Sequence, residues 1–348
     1  MSDSSRFQDD LLFTPYPCPM DLITQAVFGA TTFAVVKGRG VATKEVLWGA
    51  AMGALPDMDV LTMPFLAPVE ALLGHRTWSH SVFVAAVLAA ILTFWRARRT
   101  PGQPKPLRWG AATFAALHTH AWLDMLTTFG TQTLYPFWDD RIAWDVVHVF
   151  HPVATLCLLL PWLVEWRRGS QRWFRAGQWS MLAGAVVLMW AMGAKNLATQ
   201  RFASNLALSE GPDVALRVVP TPFNSWLWHG VVSTPDSMGF ATTHVGKQEE
   251  VVWHWVTQNK EGVARTQTLP QVQRFKLYTG KECLVRRDLP VGTTQLYAVK
   301  YGPINYEGPP SFVFPLVVLD GEQEGSFADD ENFTGPWSNA PELWERLW

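Results

Sequence analysis

The chain has 348 residues, 48% of them hydrophobic and only 17% charged, with 19 Trp. That is too apolar and too rich in Trp for an ordinary soluble domain of this length. A formal net charge of −2 offers no basic stripe, and the Arg clusters that exist flank apolar runs, which disfavours nucleic-acid binding. Cys18, Cys157 and Cys283 allow at most one disulfide and form no CxxC metal or redox motif.

In chain order, residues 1–19 carry Asp3, Asp9, Asp10 and three prolines against a single Arg6. They lack the basic start and apolar core of a cleavable signal and read as a disordered extension ahead of Met20, so insertion falls to the first apolar segment. Apolar stretches follow at Leu22–Val36, Val46–Leu55, Val82–Trp95, Trp109–Phe129, Val153–Trp166 and Trp179–Ala194. Several fall short of the ~20 residues a straight span needs and are completed by flanking Trp, Ser and Thr. The second, cut off at Pro56, reads as a half-helix or re-entrant segment. Basic residues mark alternate connectors: Lys37, Arg39 and Lys44; Arg96, Arg98, Arg99, Lys105 and Arg108; Arg167, Arg168, Arg172 and Arg175. The other connectors carry only Arg76 and Arg141, so the basic ones are cytoplasmic. The N-terminus, residues 56–80 and 130–151, and everything after 195 then face outward. From Asp213 the runs ALRVVPTPF, WLWHGVVST, VVWHWVTQ, QRFKLYTG and TTQLYAVKYG read as short strands broken by Gly and Pro. The expected architecture is mainly α: a polytopic membrane helical bundle over residues 20–195, followed by a small β-rich soluble domain over 196–348.

Topology taken from Lys and Arg alone puts one class of residue on one side. Asp57 and Asp59 follow Pro56; His75 and His80 precede the third segment in GHRTWSHS; His120 and Asp124 end the fourth; Asp145, His148 and His151 precede the fifth. Ionisable groups at membrane depth are costly, and several converging at one depth point to a functional site. His120 and Asp124 are four apart and share a helix face, whereas His118 points well round the helix and reads as a packing residue or a partner of a ligand. Asp57 and Asp59, two apart after a Pro-broken helix, either cap the segment at the water boundary, the better reading of the pair taken alone, or are presented inward by an extended turn. His75 and His80, five apart, do not share a helix face, so His75 lies in a loop and Thr77 or Ser79 caps the next helix. The candidate ligands are Asp57, Asp59, His75, His80, His120, Asp124, Asp145 and His151. This nitrogen and oxygen set without sulfur suits a divalent cation, zinc first, with Mn²⁺ or Fe also fitting. It holds more ligands than one ion needs, leaving two metals, or one metal with an Asp as general base, both open. Arg76 and Arg141 share the outer face and suit an anionic substrate such as a phosphate. Asp57, Asp59 and Arg76 are therefore the candidate catalytic residues. No GxSxG, HExxH, GxxxxGK[ST] or strand-linked GxGxxG motif is present.

The blocks MDLITQAVFGA, GALPDMDV, GHRTWSHS, HTHAWLDMLTTFGTQTLYPF and DDRIAWDVVHVFHP resemble, in order and spacing, the YdjM-like family of predicted inner-membrane metal-dependent hydrolases. The resemblance covers about residues 20–195, and its most specific parts are HRxxSH and HxxxD. It implicates Asp57, Asp59, His75, His80, His120 and Asp124. The chain departs from the family pattern at Gln25, where a His is usual, and at His151, where an Asp is frequent, which suggests His151 as a replacement ligand.

The resulting expectation is a multi-pass protein of the bacterial inner membrane with an extracytoplasmic C-terminal domain. It would be a metal-dependent hydrolase at the outer face, with the lipid bilayer as partner and a lipid or envelope phosphoester as substrate. The alternative is a non-catalytic membrane protein with a structural or transport metal site and a partner-binding outer domain. Reporter fusions after residue 100 or 170 should read cytoplasmic, and those at 65, 135 or 200 external. A cytoplasmic signal at 200 would overturn the orientation.

Overall fold

Every apolar segment read from the sequence forms a helix in the computed structural model. It describes residues 22–101, 106–170, 172–206, 214–280, 283–286, 293–303, 312, 316–319 and 326–327. The extension expected at 1–19, with Cys18, and most of the PGQPKP connector lie outside the described residues. The helices are α1 (Leu22–Lys37), α2 (Thr43–Ala54), α3 (Pro68–Gly74), α4 (Val82–Arg99), α5 (Pro106–Met125), α6 (Pro152–Arg167) and α7 (Trp173–Asn205). A 3₁₀ segment, Leu55–Phe65, follows α2, and a single 3₁₀ turn, Trp78–His80, precedes α4.

Among the described residues, α7 alone is long and apolar enough to cross a membrane by itself; Val69–His80 with Val82–Arg99 passes as a pair bent by 48°. Helix length thus supports one crossing, or two with the bent pair, where the sequence suggests up to six. α1 is apolar, but its 16 residues rise only about 24 Å against a hydrocarbon core of about 30 Å. The helices nevertheless turn apolar side chains outward: Val87, Ile91 and Phe94 on α4, and Leu182, Val186 and Met189 on α7 are exposed.

The bundle core gathers Phe33 and Ala34 of α1, Trp109, Ala112 and Ala116 of α5, Trp162 of α6 and Trp173 and Ala176 of α7. α1 and α2 meet at glycines. A Cβ on Gly29 would lie 2.5 Å from the Gly49 carbonyl oxygen and 2.6 Å from the Gly53 Cα, and one on Gly53 would lie 2.5 Å from the Gln25 carbonyl oxygen. Small residues admit this backbone approach, as in many membrane helix pairs.

After α7 the chain forms two four-stranded antiparallel sheets. The first holds β1 (Ala215–Pro220), β2 (Leu227–Ser233), β3 (Ser237–His244) and β4 (His254–Thr257); the second holds β5 (Cys283–Arg286), β6 (Thr293–Ala298), β7 (Leu316–Leu319) and β8 (Ser326–Phe327). Two short helices, α8 (Lys260–Thr266) and α9 (Pro270–Thr279), lie between them. QRFKLYTG, expected as a strand, is the body of α9. Pro270 opens the helix, and Val272, Phe275 and Tyr278, spaced by three, form its buried face. That face packs on Val69, Leu72 and Phe129, so the β-rich region abuts the loops at the end of the helical region.

Gly29→Val should force α1 and α2 apart and destabilise the protein by about 1–3 kcal/mol, read as a lower Tm in detergent. Gly193→Ala, on an exposed face of α7 with nothing within 4 Å of the added methyl, should leave Tm unchanged or raise it.

Candidate metal centre

The site starts where α2 stops. Pro56 is the second residue of the 3₁₀ segment, which stands where the sequence suggests an extended turn and whose tighter turn brings Asp57 and Asp59 to neighbouring positions along one wall. α5 supplies His120 and Asp124, one helical turn apart on one face. His80 comes from the 3₁₀ turn before α4, and His75 terminates α3. Asp57, His80, His120 and Asp124 are all buried, and one ligand atom from each lies within 4.8 Å of the others.

The hydrogen-bond roles fix both imidazoles. His120 Nδ1 faces the Gly53 carbonyl at 2.5 Å and must donate to it, leaving Nε2 without a proton in the neutral ring. The Ser79 hydroxyl donates to Asp59 Oδ2 at 2.7 Å, so it accepts from His80 Nδ1 at 2.8 Å, which leaves His80 Nε2 bare as well. The two bare nitrogens stand 3.0 Å apart. His80 Nε2 is 2.9 Å from Asp124 Oδ2 and 3.4 Å from Asp57 Oδ1; His120 Nε2 is 3.4 Å and 3.1 Å from the same atoms. A tetrahedral site with metal–ligand bonds near 2.0–2.1 Å has edges of about 3.3 Å. The donor set therefore fits one tetrahedral divalent ion, with two lone pairs and two carboxylate oxygens converging on a common centre.

Other groups orient these ligands. Gln25 donates to Asp124 Oδ1 at 3.0 Å, so the residue at the departure from the family pattern supports a ligand. Arg76, buried and with a φ of 61°, turns the chain so that its backbone N–H reaches Asp59 Oδ2 at 3.1 Å while its Nε lies 3.3 Å from Asp124 Oδ2. Burial alone would raise the Asp59 carboxyl, but the hydrogen bond and charge of His75, the charge of His80 and the Ser79 hydroxyl hold it below the usual range. Burial draws His75 downward against the opposing pull of Asp59, favouring the neutral ring. Arg141 is pulled down to about 10 by burial and so stays charged; its Nη2 donates to the carbonyls of Leu73 and His75 at 2.6 and 2.8 Å, clamping the loop that carries the site.

Two expected ligands do not join the cluster. Asp145 is drawn away by Arg217, at 2.9 Å, with Lys195 at 3.9 Å. His151 caps α6, its Nδ1 accepting from the Ala154 N–H at 3.2 Å, and its Nε2 bonds Ser225 at 2.8 Å; it does not replace a ligand. His148 Nδ1 accepts from the Phe150 N–H at 3.2 Å. His118 stacks on Phe114 with centroids 5.7 Å apart, outside the cluster. In the tail, His244 stacks on Trp226, and no tail histidine belongs to a metal-capable group among the described residues. The cap of α4 is Ser81, accepting from Phe83 N–H at 3.2 Å, because the helix begins at Val82; Thr77 and Ser79, expected as caps, bond Gln132 and Asp59 instead. Ser79 and the Gly53 carbonyl are the site groups that sequence reasoning missed. The SHS triplet is the local signal for Ser79, and nothing in the sequence marks the Gly53 carbonyl.

Residues 20–201, more than half of the chain, match the family described as YdjM inner membrane protein. Comparison with curated proteins and with solved structures gives no match.

Ser79→Ala deletes a hydroxyl that orients both Asp59 and His80, and should weaken metal affinity by about 10–100-fold, measured by competition with a chromophoric chelator. His120→Ala should remove most bound metal and His118→Ala little; equal losses would contradict a single ligand face on α5.

Proposed function

The chain belongs to the YdjM inner membrane protein family, and on that footing we propose that it is a membrane-bound, metal-dependent hydrolase acting on a lipid or envelope phosphoester at the outer face of the cytoplasmic membrane. The observation that carries this reading is the convergence of His80 Nε2, His120 Nε2, Asp57 Oδ1 and Asp124 Oδ2, with every separation that involves a histidine nitrogen at 2.9–3.4 Å. Zinc suits the set best by ligand type and number, with Mn²⁺ or Fe as substitutes. A divalent cation held in this Asp and His cluster would supply Lewis acidity toward a phosphoryl oxygen and ease deprotonation of water.

The chain's own groups complement that chemistry. Water reaches the set at Asp59, whose side chain is 17% exposed while those of Asp57, His80, His120 and Asp124 are 3% or less. Arg76 holds a permanent positive charge against Asp124 and is placed to offset negative charge on a phosphoryl group. The Lys and Arg asymmetry of the connectors supports a multi-pass topology with the site and the β-rich region outside, and the outward apolar faces of α4 and α7 suit lipid.

A second reading has an observation of its own: a shell of four buried donors is also what a structural or transport metal site presents. Zinc content of the tag-free protein in detergent, followed by a screen over phospholipids and soluble phosphoesters, separates the two. The expected result is bound zinc with chelator-sensitive phosphoester cleavage, both lost in His120→Ala while membrane insertion persists. Bound zinc with no cleavage of any phosphoester would favour the second reading, and no bound metal would overturn both.

A further inference from the structure

We propose that the protein holds a second divalent cation on Asp57, Asp59 and His75, with the Asp57 carboxylate shared between the two positions. The inference rests on the hydrolase reading of the first position and deepens it. One ligand atom from each of these three residues lies within 4.8 Å of the others, and Asp57 belongs to both groups.

The state of the Asp57 carboxylate is the independent observation. Its Oδ1 stands 3.1 Å from His120 Nε2 and 3.4 Å from His80 Nε2, inside the first group. Its Oδ2 is buried with no hydrogen-bond partner, on a residue only 4% exposed. A buried carboxylate oxygen without a donor is costly, and a cation meets that cost. The two groups also adjoin. His80 turns Nε2 to the first and lies with Nδ1 3.8 Å from Asp59 Oδ2 of the second. Its ring centroid is 4.7 Å from that of His120 and 5.9 Å from that of His75. Paired metal sites of hydrolases hold their ions about 3.5–4 Å apart, a separation that one bridging carboxylate spans.

The two positions differ in a way that assigns their tasks. The first is closed by four buried donors. The second has three and reaches the surface at Asp59, leaving room for water and substrate, the arrangement of a catalytic ion. Asp59 then serves as a ligand. Charge points to the substrate class: Asp57, Asp59 and Asp124 bring three carboxylates together beside one arginine, Arg76, whose guanidinium lies against Asp124 and whose backbone N–H bonds Asp59. One divalent ion balances that deficit. A second leaves surplus positive charge, which suits an anionic phosphoester and gives no advantage to a neutral ester or amide.

The test is Mn²⁺ binding to full-length, tag-free, metal-stripped protein in detergent, read as ions per chain and by electron paramagnetic resonance. Two Mn²⁺ per chain with a spin-coupled spectrum are expected, falling to one uncoupled ion in Asp59→Asn and in His75→Ala. Wild-type saturation at one ion, or two ions retained in Asp59→Asn, overturns the second position and leaves the first standing. No wild-type binding, or binding untouched by His120→Ala, overturns the hydrolase reading itself. Because the wild-type count decides alone, a variant that fails to purify as a single species does not blunt the test.

Discussion

Two bare imidazole nitrogens held 3.0 Å apart, Nε2 of His80 and of His120, are the constraint around which this end of the molecule is arranged. With the Nδ1 protons committed to Ser79 and to the Gly53 carbonyl, neither ring in its neutral form has a proton to offer the other. Lone pairs so close repel unless a positive charge lies between them, and the carboxylates of Asp57 and Asp124 add to the demand. The polypeptide imposes this arrangement from outside, through groups that are not themselves ligands.

Those groups trace back to backbone geometry. The Gly53 carbonyl can reach His120 only because α2 lies against α1 at glycines, and a side chain at Gly29 or Gly53 would occupy the neighbouring backbone. α2 ends at Ala54, and Pro56 lies in the first turn of the 3₁₀ path that places two carboxylates on the same wall. Arg76 adopts a left-handed backbone, unusual for a side chain of its size, and in doing so serves Asp59 with its N–H and Asp124 with its guanidinium. Conformational cost thus falls at the residues that order the acids and histidines, as expected where packing holds a charged site together.

This logic explains what the sequence disclosed. The helices were legible because their apolar runs are long and their ends carry Pro, Gly or clustered Arg. Asp57, His80, His120 and Asp124 were legible because polar residues stand out against such runs, and because a separation of four puts His120 and Asp124 on one face. Asp145 and His151 could not be distinguished from ligands by sequence, since their partners, Arg217 and Ser225, lie more than seventy residues away. Helix α9 reads as a strand in the window QRFKLYTG because that window omits Pro270, which opens the helix, and Val272, which with Phe275 and Tyr278 shows a period of three. Thr77 or Ser79 reads as a cap because a hydroxyl residue before an apolar helix ordinarily caps it, and the start of α4 at Val82 frees the Ser79 hydroxyl for the site.

The tail, too, bears on the site. Phe129 lies against His75, ring centroids 5.3 Å apart, and under the guanidinium of Arg76 at 4.8 Å. Further contacts come from beyond α7: the Tyr278 ring at 5.2 Å and Lys300, whose buried ammonium donates to the Phe129 carbonyl at 3.3 Å and the Tyr278 carbonyl at 3.2 Å. Lys300 also sits 3.4 Å from the centroid of the Tyr278 ring, a cation–π contact shielded from water. A lysine buried in this way draws on both carbonyls and the ring, so it ties α9 and the Phe129 loop together. His75 and Arg76 therefore rest on a wall completed by the C-terminal region, which couples the order of the cluster to the folding of a region that contributes none of its described ligands.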